Sequence, residues 1–362
     1  MTKMLHECSI CGTRFAPRFA YQIQKTSQGE AYICSQGCHE RYLFAAQQKT
    51  CDVCSTRFIP QYAYQQAVVD GTTKHYCSQD CRDDDIERAP KKGMGRRIAV
   101  LNQKGGTGKT TTSVNLAAGL AEAGYKTLLV DMDVQGNVAV SLGLRSQLTL
   151  FHVLAEGAYP RDCVVKVNEK LDAIISDNTL AKAEFELVNR RDRHLQLSQA
   201  MRGMVEYDFI ILDCGPSLSM LNQNALAFSE HILIPVSCDY LSLVGVKQIL
   251  RTLKRLNQML LKPVSILGVV PTFFDMRTKV STEAVKTLRA YFGNRVLPPI
   301  RVNTRLKEAP SKRQTIFEYD PDCNGAVDYH RLVEKVVELC SENAEPAPVP
   351  EALGPGFGSA LP

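Results

Sequence analysis

The sequence has no apolar run approaching the ~20 consecutive residues that span a bilayer. Its first residues, MTKMLHECSICGTRF, lack the apolar core of a secretory signal, so a cytosolic protein is expected. Strong charge of either sign is also missing: 43 Lys+Arg oppose 38 Asp+Glu, a formal net charge of +5 over 362 residues. That balance permits nucleic-acid binding without arguing for it. With 44% hydrophobic and 22% charged residues, the composition excludes a disordered chain and a collagen-like repeat. At about 100–200 residues per domain, two or three units are expected, at least one with a sizeable core. What the chain has in excess is cysteine, 13 of them. In a reducing compartment that number points to metal ligation before disulfides.

Eight cysteines lie at the N-terminal end: Cys8, Cys11, Cys34, Cys38, Cys51, Cys54, Cys77 and Cys81. A shift of 43 residues superimposes the first four on the second four, and residues 8–42 and 51–85 share 13 identities over 35 positions. The shared text is C-x-x-C-x-T-R-F-x-P-x-x-A-Y-Q, 11 variable residues, then C-S-Q-x-C, an internal duplication. Each copy reads C-x2-C-x22-C-x3-C. The first pair suits a hairpin knuckle. The second pair, four apart, places both sulfurs on one face of a helix whose first turn Ser35 or Ser78 can cap. Knuckle, hairpin and helix form a treble clef, and the Y-x-C-S-x-x-C text resembles TRASH- or MYM-like zinc fingers. Four thiolates close a tetrahedral site, so two structural Zn2+ ions are expected, with His6, His39 and His75 as surface residues. A redox role for the C-x-x-C pairs would leave the distant pairs without a purpose. Residues 1–96 hold 13 basic and 10 acidic side chains; eight thiolates and two Zn2+ turn that +3 into about −1. A protein partner therefore suits this half better than phosphate.

Residues 87–96, ERAPKKGMGR, read as a linker. Beyond them the texture changes. RIAVLNQ, TLLVDMD, FIILDC, HILIPVS and SILGVVPTF are strand candidates, with TTSVNLAAGLAEAG between the first two as a small-residue helix ending at Gly124. Near-continuous apolar strands alternating with helices predict a parallel sheet covered on both faces. A last helix is expected near 329–340, and the Pro/Gly/Ala-rich end after it is not expected to fold. The expected organisation is zinc finger 1 at 1–47, zinc finger 2 at 48–86, linker at 87–96, a large α/β domain at 97–341 and tail at 342–362.

After the first of these strands comes N-Q-K-G-G-T-G-K-T-T-T, residues 102–112. A standard P-loop would need Gly where Gln103 stands, yet the working parts remain. Gly105, Gly106 and Gly108 let backbone N–H groups turn around phosphate oxygens, with Thr107 between them. Lys109 reaches the phosphates, Thr110 offers a hydroxyl to Mg2+, Thr111 follows, and the helix directs its positive end at the anion. Asp213, at a strand's C-terminal end, faces the ligand crevice of a parallel sheet and suits Mg2+. For Asp131, contact with the nucleotide and a hydrogen bond to the phosphate loop remain equally open.

The extra Lys104 makes the loop resemble the deviant Walker A of the family that includes ParA/Soj-like partition ATPases, MinD and the nitrogenase iron protein. LLVDMDVQGN (128–137), FIILDCGPS (209–217), NTRLKEAPS (303–311) and YDPDCNGAVDYHRL (319–332) resemble the ParA branch in order. The resemblance implies an ATP-dependent switch in which Lys104 crosses a homodimer interface to the partner's phosphates. It also implies that Asp133 orients the attacking water, and that Asp213 holds Mg2+ through water. Val134 and Gly215 stand where relatives carry proline, Val244 where they carry Glu, and Arg301-Val302 occupy the family's Pro-Arg. The family's non-specific DNA contacts align with Arg277 and Arg305, near Lys279, Lys307, Lys312 and Arg313. Without the resemblance these read as a solvated charged face. A ParB-like or cargo-adaptor protein would stimulate hydrolysis, and the protein would sit on the nucleoid. A MinD-like membrane anchor is disfavoured, since the Pro-broken end has no basic residue. Cys163, Cys214, Cys238, Cys323 and Cys340 do not show the iron-protein pattern. The competing reading is a zinc adaptor or DNA-binding regulator whose ATPase fold only senses nucleotide. The fold expected is α/β: a doubly wound, mostly parallel sheet of P-loop NTPase type preceded by two small treble-clef zinc modules.

Overall fold

In the computed structural model the described residues are 5–26, 29–62, 65–69, 72–82, 95–190, 192–217, 219–239, 257 and 264–341. Val244, most of the expected linker and the tail lie outside them. The chain divides into two compact units, Met1–Lys91 and Lys92–Pro362.

The first unit holds two copies of one arrangement. In the first copy β1 (His6–Glu7) pairs with β2 (Arg14–Phe15), and β3 (Ile23–Thr26) with β4 (Gly29–Tyr32), both antiparallel. Helix α1 (Gln36–Gln47) follows, its N-cap Ser35 accepting from the Cys38 amide as the spacing predicted. The second copy repeats the hairpins as β5 (Lys49–Thr50) with β6 (Arg57–Phe58) and β7 (Gln66–Val69) with β8 (Thr72–His75). A helical turn follows at residues 79–82, with Ser78 accepting from the Cys81 amide. Apolar packing in the first copy centres on three buried residues, Cys8, Ile33 and Cys38. Such a core is far too small to hold a module without a staple.

The second unit is built on seven strands: β9 (Arg96–Val100), β10 (Thr127–Met132), β11 (Val164–Lys166), β12 (Leu171–Ile174), β13 (Phe209–Cys214), β14 (His231–Ser237) and β15 (Ser265–Thr272). Their order is β11-β12-β10-β13-β9-β14-β15, parallel except for β11, which runs antiparallel to β12 at the edge. The five strands expected from sequence are all present, with β9 beginning at Arg96, inside the expected linker. β11 and β12 are additions, because VVK and LDAI are too short to show a period. From β9 the chain moves first to one side, to β10, and later to the other, to β14. The C-terminal end of β9 is therefore the switch point where ligands bind such sheets.

Alternation along the strands sends successive residues to opposite faces. Ile98 and Val100 of β9 pack with Leu116 and Leu120 of α2 (Lys109–Glu122), whereas Ala99 and Leu101 join the cluster on the other face. Helices α3 (Asn137–Leu142), α4 (Met220–Phe228), α5 (Lys279–Phe292) and α6 (Asn324–Ser341) complete the layers used below. α6 starts five residues before the expected 329 and lies against α2, where the Tyr329 and Thr112 hydroxyls meet at 3.3 Å. No helix among the described residues is long and apolar enough to cross a membrane.

Small residues let α6 approach α2. A Cβ at Gly119 would lie 2.7 Å from the Val333 side chain and 3.1 Å from Phe317. Gly119→Val is expected to destabilise the ATPase unit by about 1–3 kcal/mol through overpacking, read as a lowered denaturant midpoint. An unchanged midpoint would contradict this packing.

Candidate functional site

The phosphate-loop segment leaves β9 through Asn102, which is fully buried and holds both sides of the turn. Its Nδ2 donates to the Pro235 carbonyl at 2.7 Å and its Oδ1 accepts from the Lys104 amide at 3.0 Å. Gly106 (φ +72°) and Gly108 (φ +81°) then take the left-handed conformation that side chains resist. Thr272, at the end of β15, donates to the Thr107 carbonyl at 2.9 Å and fixes the loop from the far side. α2 begins at Gly108 with no side-chain cap, so its first-turn N–H groups are left to the space an anion would fill. The Lys109 ammonium folds back to donate to the Lys104 carbonyl at 3.2 Å. Burial lowers its pKa, while Asp213 and Asp133 oppose that shift.

Register places Asp131 of β10 directly beside Asp213 of β13, and both are fully buried. Asp213 Oδ1 accepts from the Ser113 hydroxyl at 2.8 Å; Oδ2 is buried without a hydrogen-bond partner. Burial pushes the Asp213 pKa up to about 6, against the Thr110 and Ser113 hydroxyls. A buried carboxylate oxygen with an open lone pair, near the Thr110 hydroxyl, is an oxygen donor set that fits Mg2+, while the Lys109 ammonium suits phosphate instead. Asp131 is anchored within its own turn. Its oxygens accept from the Asp133 amide at 3.0 Å and the Val138 amide at 3.2 Å, so it shapes the turn between β10 and α3. Asp133, held by the Gln135 amide at 3.1 Å, lies over Gly215, where a Cβ would come within 3.3 Å of its carboxyl carbon. The glycine in place of the family's proline thus gives this carboxylate room. Lys104 forms an ion pair with Asp239 at 2.8 Å.

Sequence reasoning overlooked Asn102, Ser113, Thr272 and Asp239. Ser113 was recoverable, lying one turn beyond Lys109 on the same helix face. Thr272 and Asp239 reach the loop only through the sheet order.

In the first unit Cys8, Cys11, Cys34 and Cys38 form one cluster and Cys51, Cys54, Cys77 and Cys81 another, the sulfurs of each within 4.8 Å of one another. Neighbouring sulfurs stand 3.4 and 3.6 Å apart in both (Cys11–Cys34 and Cys34–Cys38; Cys54–Cys77 and Cys77–Cys81). A tetrahedral Zn(Cys)4 centre with Zn–S near 2.3 Å requires about 3.8 Å. The arrangement therefore fits zinc after a small expansion. Thiol–thiol contact pushes Cys77 up to about 12, Cys54 being the main cause, while the Thr56 hydroxyl helps hold Cys54 near 6. Four crowded thiols cannot all ionise without a cation, and a dication resolves that conflict. No histidine enters either cluster: His6 stacks on Tyr32 at 3.7 Å, and His39 meets Gln24 at 3.1 Å.

The two arginines singled out for DNA are exposed and paired. Arg277 makes a bidentate contact with Asp275, 2.9 Å from each oxygen, holding that carboxyl near 2. Arg305 meets Glu308 at 2.9 Å and Asp320 at 3.1 Å. Phe274 pairs with Arg301, which brings the Arg277 loop alongside the segment leading to Arg305.

Together, the parallel sheet, the glycine turn at its switch point and the lysine–carboxylate set define a P-loop NTPase-like fold. Residues 95–266 match the family model described as an AAA domain, and residues 46–84 match the MYM-type zinc finger with FCS sequence motif. The chain is 42% identical to the chromosome-partitioning ATPase Soj of Treponema pallidum, over 67% of this chain and 98% of the relative. It is 41% identical to the sporulation initiation inhibitor protein Soj of Bacillus subtilis, again over 67% of this chain and 98% of that one. A Mycobacterium smegmatis cobyrinic acid a,c-diamide synthase, solved with bound ATP analog and magnesium, superimposes with a TM-score of 0.61 at 30% identity, covering 70% of this chain and 99% of that chain. The chain belongs to the Soj/ParA family of partition ATPases, with zinc fingers at its N-terminal end.

Freshly purified protein is expected to carry two zinc ions per chain by atomic emission; well under one would refute the thiolate reading. Ser113→Ala should raise the Mg2+ needed for half-maximal ATP binding about tenfold, the effect of losing one hydrogen bond to a charged group. Asp213→Asn should raise it further. Titration curves matching the wild type would remove Asp213 from the metal's coordination.

Proposed function

We propose that the protein is an ATP-driven switch for partition of DNA or positioning of a large cargo on the nucleoid, with the zinc fingers recruiting a protein partner. The observation that carries this reading is that the helix leaving the glycine turn ties to the strand-end carboxylate, Ser113 donating to Asp213 at 2.8 Å, with Lys109 of the same helix within electrostatic reach of Asp213 and Asp133. ATP's phosphates would lie against the N–H groups of residues 105–110, with Lys109 neutralising developing charge. Thr110 and, through water, Asp213 would hold Mg2+, which would supply positive charge to offset that of the phosphates. Asp133 would orient the water that attacks the γ-phosphoryl group as ADP leaves. Asp131, locked by two amides, keeps that turn in place.

Two chains would join around two ATP molecules, with Lys104 exchanging Asp239 for the partner's phosphates. This dimer would present Arg277 and Arg305 to DNA. Exposed ion pairs are worth little in water, so a backbone phosphate can replace Asp275 or Glu308 at low cost. Hydrolysis, stimulated by a ParB-like or cargo-adaptor protein, would dissolve the dimer and release the DNA.

Lys109→Ala should lower ATP turnover by about 100-fold or more. Asp133→Ala should retain ATP binding, lose turnover and prolong DNA association. Charge reversal at Arg277 and Arg305 should weaken DNA binding and flatten its salt dependence, by about one unit of log–log slope for each DNA phosphate left unneutralised. If neither Lys109→Ala nor Asp133→Ala alters turnover or DNA association, the nucleotide-sensing zinc adaptor replaces this reading.

A further inference from the structure

The first unit contains one polar device built twice. Gln22 and Gln65 occupy equivalent repeat positions, and each is only 5% exposed. Gln22 Oε1 accepts from the Arg18 amide at 2.6 Å and the Phe19 amide at 3.0 Å, while its Nε2 donates to the Cys34 carbonyl at 2.9 Å. Gln65 Oε1 accepts from the Gln61 amide at 2.7 Å and the Tyr62 amide at 3.0 Å, and its Nε2 donates to the Cys77 carbonyl at 3.0 Å. The backbone carbonyls of the two glutamines accept from Ile33 at 2.8 Å and Tyr76 at 2.9 Å, the residues just before those cysteines. The side-chain distances agree between copies within about a tenth of an ångström, although the flanking text Arg18-Phe19 has become Gln61-Tyr62.

We infer that Gln22 and Gln65 are positioning residues for the two zinc centres, each holding the third cysteine of its set in register with the knuckle. The side chain does two things that an apolar residue of the same size cannot. It satisfies two loop N–H groups, and it fixes the carbonyl of Cys34 or Cys77, which sets where that sulfur points. Partners of this kind, which touch a ligand rather than the metal, typically change metal affinity by about 10–100-fold when removed. Phe19 and Tyr62, whose amides the clamps hold, are each 61% exposed, so the same clamp ties each metal site to an aromatic on the module's surface. This inference rests on the zinc reading of the thiolate clusters.

The test uses the full, zinc-loaded chain and a chromogenic chelator. Gln65→Met should release one of its two zinc ions about 10–100 times faster than the wild type, the other leaving at the wild-type rate. The cobalt-substituted protein should show a shifted d–d band for one centre, which a filler of the module's interior would not produce. Gln65→Glu keeps the acceptor for both amides but sets a carboxylate oxygen against the Cys77 carbonyl in place of the donor, so it decides the matter should the Met variant fail to fold. Faster release with unchanged circular dichroism supports the inference. Wild-type release with an unshifted cobalt spectrum overturns it. A wild-type chain that takes up neither zinc nor cobalt refutes the zinc reading instead.

Discussion

Two carboxylates buried side by side, Asp131 and Asp213, are the constraint around which the ATPase unit is arranged. Parallel pairing of β10 with β13 puts them in register, and both are fully buried. Adjacent like charges in a dry crevice are unfavourable unless something answers each of them. Burial, and then repulsion from Asp213, push Asp131 far toward its neutral form, and two amides of its own turn oppose them. Asp213 is answered only in part, by the Thr110 and Ser113 hydroxyls, with one oxygen left over. The Lys109 ammonium and a divalent cation would complete the set. The site is therefore poised for its ligands, because the sheet's own register creates the deficit that they fill.

The zinc fingers follow the same logic with sulfur. A module whose apolar core, among the described residues, is three buried side chains, two of them cysteines, would gain its stability from a metal that replaces repulsion between thiols by bonds. Here the metal site takes the place of the hydrophobic core. That is why the repeat keeps cysteine spacing, a capping serine and a buried glutamine, while 22 of 35 aligned positions differ between copies.

The parts of this protein visible in one dimension were those set by local chemistry. Glycines at 106 and 108, a lysine and threonine after them, and thiolates separated by two and three residues each announce a geometry within a short stretch of chain. The five apolar strands were visible for the same reason. β11 and β12 were not, since three and four residues against a neighbour carry no period. The early start of α6 at Asn324 was hidden because its first turn draws stability from packing, with Gly325 and Ala326 buried. The role of Asp131 depended on where two amides come to lie after the chain turns. Asp239 and Thr272 became neighbours of the phosphate loop only through the sheet order, which no local pattern encodes.

The net charge of +5 says little about affinity for DNA, and the structure explains why. Arg277 and Arg305 each stand at a surface with an acid already in hand, so these two present ion pairs rather than bare cations. Such pairs would weaken indiscriminate attraction of a monomer to DNA. Two chains joined face to face would offer several exchangeable guanidinium groups to one backbone, and each exchange releases a counterion from the DNA. Affinity would then grow steeply with assembly while the charge of each chain stayed the same. Nucleotide state could thereby govern DNA association without any change in the arginines themselves.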